Sequence, residues 1–428
     1  MNRNWERLKQ HEAIKKQIRQ YLCELVAATV LVVLMILLKG VILGQFPNYE
    51  SVFNGLLVGF IGSMLSLLVV MNVYLFYELC MTRLVVNSIL NSCTKNEMGK
   101  KIKSMIQATY DVAQHWGRVP SDTHSHPSNI AEGLLAYTSA YEVGLISKDD
   151  PAYHVIKDLT KKCIEKITNT DQLREGFKYT TQALSMQLFA IKKCESLKII
   201  TEEDCEKLCE IGEVARELLK SIKDDDRGWG YYAFDNYSKS DDSAILMVPT
   251  LWALRAINAW GIGSDDKFEK ILDKISYDPI HIGFKYNSES RFSATALFCI
   301  LASELRDSEY KKKYGKIWST VEKKLISDNC PEYEVEISYF NDQNEHLKVN
   351  YWIHLSRCLL IEAAIKNRST LTIRQALTIK KMIDRSVAQI DKFYRVGGLT
   401  ENEAMIPLYP SFYLISALTM LYKTECNE

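Results

Sequence analysis

The sequence predicts an all-α protein: an N-terminal two-helix transmembrane hairpin followed by an (α/α)6 toroid of six helix-pair repeats. Three observations predict it. Two long runs nearly free of charge lie early in the 428 residues, a helix-loop-helix unit with a Gly or aromatic marker recurs six times beyond them, and its helices alternate between one-sided and almost uniformly apolar. Composition fits a packed core, with 47% hydrophobic residues. Basic and acidic residues balance at 53 each, so no net field draws a nucleic acid. The eleven cysteines are scattered and include no Cys-x-x-Cys, which argues against both a disulfide framework and a zinc ribbon.

Three segments follow: a cytoplasmic amphipathic stretch over 1–20, the hairpin and a connecting helix over 21–98, and a cytosolic toroid over 99–428. From Leu25 to Leu43 only Lys39 is charged, and from Leu56 to Phe76 nothing is. At about 1.5 Å per residue each run can cross a hydrocarbon core of about 30 Å. The charged stretch before the first run and the lack of a small-residue cleavage site disfavour a signal peptide. Arg3, Arg7, Lys9, Lys15, Lys16 and Arg19 precede the first run, and Arg83, Lys95, Lys100, Lys101 and Lys103 follow the second. The connector 45–54 has no Lys or Arg, so the positive-inside rule predicts an integral membrane protein with both termini and the toroid in the cytoplasm. Gly55, Gly59 and Ser63 recur every four residues, a pattern that serves either packing within the hairpin or homo-oligomerisation through it.

Beyond the hairpin the repeat markers are Gly117, Gly176, Gly230, Gly283, Phe340 and Gly397, spaced by 53 to 59 residues. The apolar helices that follow are expected to begin near Pro127, Thr181, Ser243 to Pro249, Ser293, Val349 and Pro410. Proline is tolerated there because a first-turn N–H has no intrahelical partner. From Ala244 to Trp260 Arg255 is the sole charge, and 292–302 has none. Such helices are covered on both sides and form an inner ring, whereas stretches such as 202–223 are charged on one face and form an outer ring. Six pairs favour closure over an open solenoid.

The third repeat carries the most distinctive stretch, Arg227-Gly228-Trp229-Gly230 followed by Phe234-Asp235-Asn236 and then Lys239-Ser240-Asp241-Asp242-Ser243-Ala244 at a helix start. It resembles the squalene-hopene cyclases of the class II terpene cyclase family, whose pattern is a Gly-Trp turn, Phe-x-Asn and then Asp-x-Asp-Asp-Thr-Ala. The close match covers about eighteen residues; elsewhere the likeness is one of helical repeat style. The resemblance implies an α/α toroid, a fold shared with the protein prenyltransferases. It also implies that Asp241 is the acid that protonates an isoprenoid alkene, with Asp242 helping to keep it protonated. The family's first Asp is Lys239 here, a cation that would lower the pKa of Asp241. No Asp-x-Cys pair precedes an inner helix, which disfavours the zinc chemistry of the prenyltransferases.

Loops that enter the inner helices gather at one rim of a toroid. The candidate ligand contacts there are Trp229, Tyr232, Phe234, Asn236, Tyr286, His346, Trp352 and Glu401, beside the acids Asp241 and Asp242. Aromatic faces in such a place can line an apolar tunnel, or wedge helices together. Asp242 and Ser243 also read as ordinary N-cap residues. Asp122, His124 and His126 have metal-ligand chemistry at weak spacing, so no cofactor is expected and a divalent metal lacks support. Gly-x-x-x-x-Gly-Lys, Gly-x-Gly-x-x-Gly, Gly-x-Ser-x-Gly and His-Glu-x-x-His are all missing, which removes nucleotide, serine-hydrolase and zincin readings. The expected function is a membrane-anchored toroid that binds, and can transform, an isoprenoid or other lipid-like small molecule. The alternatives are a membrane-tethered sensor or protein-interaction scaffold and, on fold analogy, a glycan hydrolase or lyase.

Overall fold

The computed structural model describes residues 50–90, 95–111, 118–119, 122–125, 127–169, 180–221, 228–230, 247–262, 266–277, 291–305, 337–340, 346–349, 351–366, 371–395 and 408–426. The first expected span, 25–43, lies outside them. The chain divides into two compact units, Met1–Ser88 and Ile89–Glu428.

The described residues of the first unit belong to one helix, α1 (Glu50–Leu90), which runs on two residues past the boundary. Its 41 residues reach about 60 Å, twice the roughly 30 Å of a hydrocarbon core. Its segment Met71–Leu90 is long and apolar enough to cross a membrane by length and composition. Ser66 and Asn72 return their side-chain donors to the carbonyls of Gly62 and Leu68, at 3.0 and 2.9 Å, which removes two polar groups from an apolar surface. All but one of the exposed large apolar side chains among the described residues belong to α1, including Val58, Leu65, Val69, Val73, Phe76 and Leu79. A row of that size in water would be a liability.

The second unit is mostly helical. It holds α2 (Lys95–Asp111), β1 (Arg118–Val119), β2 (Asp122–Ser125), α3 (Pro127–Glu142), α4 (Pro151–Thr168), α5 (Thr181–Ser196), α6 (Glu202–Cys205), α7 (Leu208–Lys220) and α8 (Met247–Ala259). After these come α9 (Asp266–Tyr277), α10 (Arg291–Glu304), β3 (Ile337–Phe340), β4 (His346–Val349), α11 (Tyr351–Lys366), α12 (Ile373–Arg395) and α13 (Leu408–Cys426). The predominance of helix is as expected; beside the helices β1 pairs antiparallel with β2, and β3 with β4, in two short hairpins that the sequence reading did not foresee. Both precede an apolar helix, where the sequence reading expected loops.

The six apolar helices are α3, α5, α8, α10, α11 and α13, and they start within four residues of the expected positions. The third is described from Met247, with Pro249 as its third described residue. These helices touch in a cycle: α3 with α5, α5 with α8, α8 with α10, α10 with α11, α11 with α13, and α13 with α3. The amphipathic helices lie against them. α4 packs on both α3 and α5, and α12 on both α11 and α13. On α7 the buried set Ile211, Val214, Ala215, Leu218 and Leu219 has the i, i+3, i+4, i+7, i+8 spacing of a single face. On α5 ten of the sixteen residues are buried, as two-sided cover demands. Buried hydroxyls on these helices turn back to carbonyls one turn earlier, as Ser185 does to Thr181 at 2.6 Å and Thr419 to Ile415 at 2.6 Å.

Helix ends repeat as well. Thr180 caps α5 by accepting from the Ala183 N–H at 3.1 Å, and Thr372 with Gln375 makes a reciprocal capping box on α12. The first three apolar helices close with the same six-residue bond: Leu145 N–H to Ala140 O at 2.9 Å, Ile199 to Cys194 at 3.0 Å, and Ile262 to Ile257 at 3.1 Å. The residue before each donor has positive φ: Gly144 at 74°, Lys198 at 56° and Gly261 at 77°. This is the helix stop that usually selects glycine.

Candidate functional site

A cavity of about 280 Å3 lies among the six apolar helices and takes side chains from every one of them. Its walls change character along the helix axes. Glu132, Leu135, Met186, Phe189, Trp252, Phe412 and Tyr413 come from the early and middle turns of their helices, and all but Glu132 and Tyr413 are apolar. Glu142, Lys193, Glu304, Lys366 and Lys423 come from the last turns, and all are charged. Glu132 and Glu142 are ten residues apart on α3, which separates the two levels by about 15 Å.

Glu142 and Glu304 are the final residues of α3 and α10, where a carboxylate meets the negative end of the helix dipole and needs a cation. Arg255 answers Glu304 with two bonds, Nε to Oε2 at 2.6 Å and Nη2 to Oε1 at 2.8 Å, and reaches Glu362 Oε1 at 3.4 Å. Its guanidinium also stacks over Phe189 and Trp252, at 4.3 and 4.8 Å from the ring centroids. Lys366 bonds Glu304 and sits 3.8 Å from Glu362, one turn earlier on α11. Across the cavity Lys423 bonds Glu142, while Lys193 donates to Ser139 Oγ at 2.5 Å and lies 3.8 Å from Glu142. One cluster thus ties α8, α10 and α11; the other ties α13, α3 and α5.

Environment sets the charge states. Burial alone would raise the Glu304 carboxyl, but the charges of Arg255 and Lys366 outweigh it and hold the group at about 2. Burial pushes the Lys193 ammonium down to about 8, helped by Lys366 and Arg255 and opposed by Glu142 and Glu362. Glu132 differs from the other carboxylates. Burial drives it well above the usual carboxylate range, against a smaller lowering from a hydrogen bond donated by Tyr413 Oη to its Oε1 at 3.2 Å. Its Oε2 has no hydrogen-bond partner.

The residues named from the sequence fare differently. Trp229 has 1% exposure; its indole N–H donates to Leu218 O at 2.8 Å, a carbonyl of the last turn of α7, and its backbone N–H donates to Thr250 Oγ1 at 3.0 Å. It is a wedge between α7 and α8. Gly230 O accepts from Thr181 Oγ1 at 2.8 Å, which fastens the same turn to α5. Asp241, Asp242, Tyr232, Phe234, Asn236, Tyr286, Glu401 and His126 lie outside the described residues. The backbone puts Asp122 and His124 on β2, His346 on β4 and Trp352 at the start of α11. Among the described residues no three His, Cys, Asp or Glu side chains gather to hold a metal ion.

The cavity's charged lining was not foreseen, although one signal existed: Arg255 was noticed as the sole charge of an apolar helix. An isolated charge on a helix covered on both sides must face a partner or a cavity. Glu132, Glu304, Glu362 and Lys366 fit the same rule. No protein-family model, curated protein or solved structure matches the chain.

Proposed function

We propose that the chain is a bilayer-anchored (α/α)6 toroid whose central cavity binds an amphiphilic molecule, isoprenoid-like or otherwise lipid-like, with an acidic head. The cyclic contacts of the six apolar helices support the closed ring. The exposed apolar row on α1 supports the anchor, and the basic flanks of the two runs support a hairpin with both ends on the cytoplasmic side. Gly55 and Gly59 have open space where a Cβ would stand, which suits close approach of a second helix, from this chain or another copy.

The observation that carries the ligand reading is the change of lining within one chamber. Leu135, Met186, Phe189 and Phe412 offer apolar contact, while Lys193 and Lys423 stand beyond them at the charged level. Lys193, Arg255, Lys366 and Lys423 stand beside Glu142, Glu304 and Glu362, and burial pushes the fourth carboxyl, Glu132, toward its neutral form, a balance that favours an acidic group. Acid catalysis by Asp241 with Asp242 belongs to the same reading and rests on the resemblance at 227–245. A membrane-tethered scaffold is the second reading, favoured by the fact that each cavity cation already pairs with a carboxylate.

The test is lipid extraction and mass spectrometry of the full chain purified from membranes, beside a Lys193→Met/Lys423→Met variant. An acidic amphiphile that accompanies the wild type and is depleted in the variant is the expected result. No such molecule, or equal amounts in both, sinks the ligand reading in favour of the scaffold. Incubation with squalene and polyprenyl diphosphates, wild type against Asp241→Asn, tests the chemistry: the expected result is product from the wild type alone.

A further inference from the structure

Glu132 holds a position that neither charged cluster explains. It lies in the second turn of α3, is 5% exposed, lines the cavity at its apolar level, and is bonded through one oxygen only. Tyr413, 7% exposed, donates to Oε1 and so leaves Oε2 as the atom with no hydrogen-bond partner. A buried polar atom in that state costs stability unless something completes it. The nearest structural remedy would be a cation, yet the cavity's cations are committed to Glu142, Glu304 and Glu362. A cationic ligand is disfavoured by the surplus of positive charge at the far level. What fits is an uncharged oxygen that accepts a hydrogen bond from the O–H of a proton-bearing carboxyl.

We propose that Glu132 is a ligand-contacting residue whose Oε2 donates a hydrogen bond from the apolar end of the cavity. The molecule bound is then an amphiphile carrying a hydroxyl or carbonyl oxygen at the end opposite its acidic head. This rests on the amphiphile reading above and adds the second polar end. Burial favours the protonated form of the carboxyl, and Oε2 is the oxygen left to donate. The arrangement also defines selectivity: a ligand lacking the oxygen leaves the carboxyl unpaired, so the site discriminates against simple fatty acids.

The experiment compares two probes on the full chain in detergent, decanoate and ω-hydroxydecanoate, by calorimetric titration. Wild type should bind the hydroxy acid about tenfold more tightly, one net hydrogen bond's worth. Glu132→Gln, which retains a donor, should keep that preference, and Glu132→Leu should lose it. In parallel, dicyclohexylcarbodiimide should label Glu132 at neutral pH, since the reagent adds a protonated carboxyl across its C=N bond to end as an N-acylurea with no leaving group. ω-Hydroxydecanoate should protect the residue more than decanoate does. Equal binding of the two probes by the wild type overturns the role of Glu132 and leaves the amphiphile reading standing, whereas binding of neither overturns both. If Glu132→Leu does not fold, the probe comparison and the labelling of the wild type still decide.

Discussion

Replacing Glu304 by Gln removes one charge from the centre of the Arg255 cluster while keeping the shape. Arg255 is left with Glu362 at 3.4 Å as its only remaining carboxylate among the described residues, although its side chain is only 6% exposed. The magnitude comes from linkage. The Glu304 carboxyl is held at about 2 against an ordinary 4.5, and at about 1.4 kcal/mol per unit the difference is worth about 3 kcal/mol. Its sign is fixed, because a carboxylate with a lowered folded-state pKa stabilises the fold above its unfolded value and stops doing so as pH falls through its folded one. Glu304→Gln should therefore be about 3 kcal/mol less stable than wild type at pH 7, within the range for breaking a buried pair. The gap should close between about pH 4.5 and pH 2, where the wild-type carboxyl becomes neutral like the amide. Thermal melts followed by circular dichroism in detergent would show a Tm lower by roughly 6 °C at neutral pH, taking about 2 °C per kcal/mol for a unit of this size. A difference below about 0.5 kcal/mol, or one that does not change with pH, would refute the reasoning and mark the cluster as a solvated ion pair.

Two further substitutions probe the repeat geometry. Gly228 has φ +122°, and a Cβ there would stand 2.6 Å from Thr250 Oγ1, the hydroxyl that holds the Trp229 backbone. Gly228→Ala should cost roughly 3 kcal/mol in denaturant titrations, and an unchanged midpoint would show the turn to be less constrained than drawn. Lys198 occupies the left-handed position that Gly144 and Gly261 fill in the neighbouring repeats, so Lys198→Gly should stabilise by about 0.5 kcal/mol. A loss of stability in the same titration would mean that the longer side chain contributes packing of its own.

Much of the architecture was legible because helix periodicity is local. The apolar runs that start at Pro127 and Thr181 depend only on neighbours along the chain, and these helices begin where the pattern says. The two hairpins before α3 and α11 were missed: their strands are two to four residues long, too short for a period-two pattern to register. The Gly-Trp turn was recognised as special, with Trp229 read both as a ligand contact and as a wedge between helices. Only burial and the bonds to Leu218 and Thr250 reveal a wedge, because the same indole serves either purpose until its N–H finds a partner.

Among the described residues, the sequence by itself determined the helices, the difference between one-sided and two-sided faces, where six apolar helices lie, and the presence of a helix apolar enough for a bilayer. Those properties follow from the spacing of side chains along one chain. Tertiary structure alone decided which isolated charged and polar groups meet: Arg255 with Glu304 over 49 residues, Lys423 with Glu142 over 281, and Tyr413 with Glu132 over 281. Electrostatic coupling depends on distance through space and on the water removed between groups, and neither is written in residue order. For that reason the cavity, with its charged end and its single half-satisfied acid, became visible only once the apolar helices had packed one against the next.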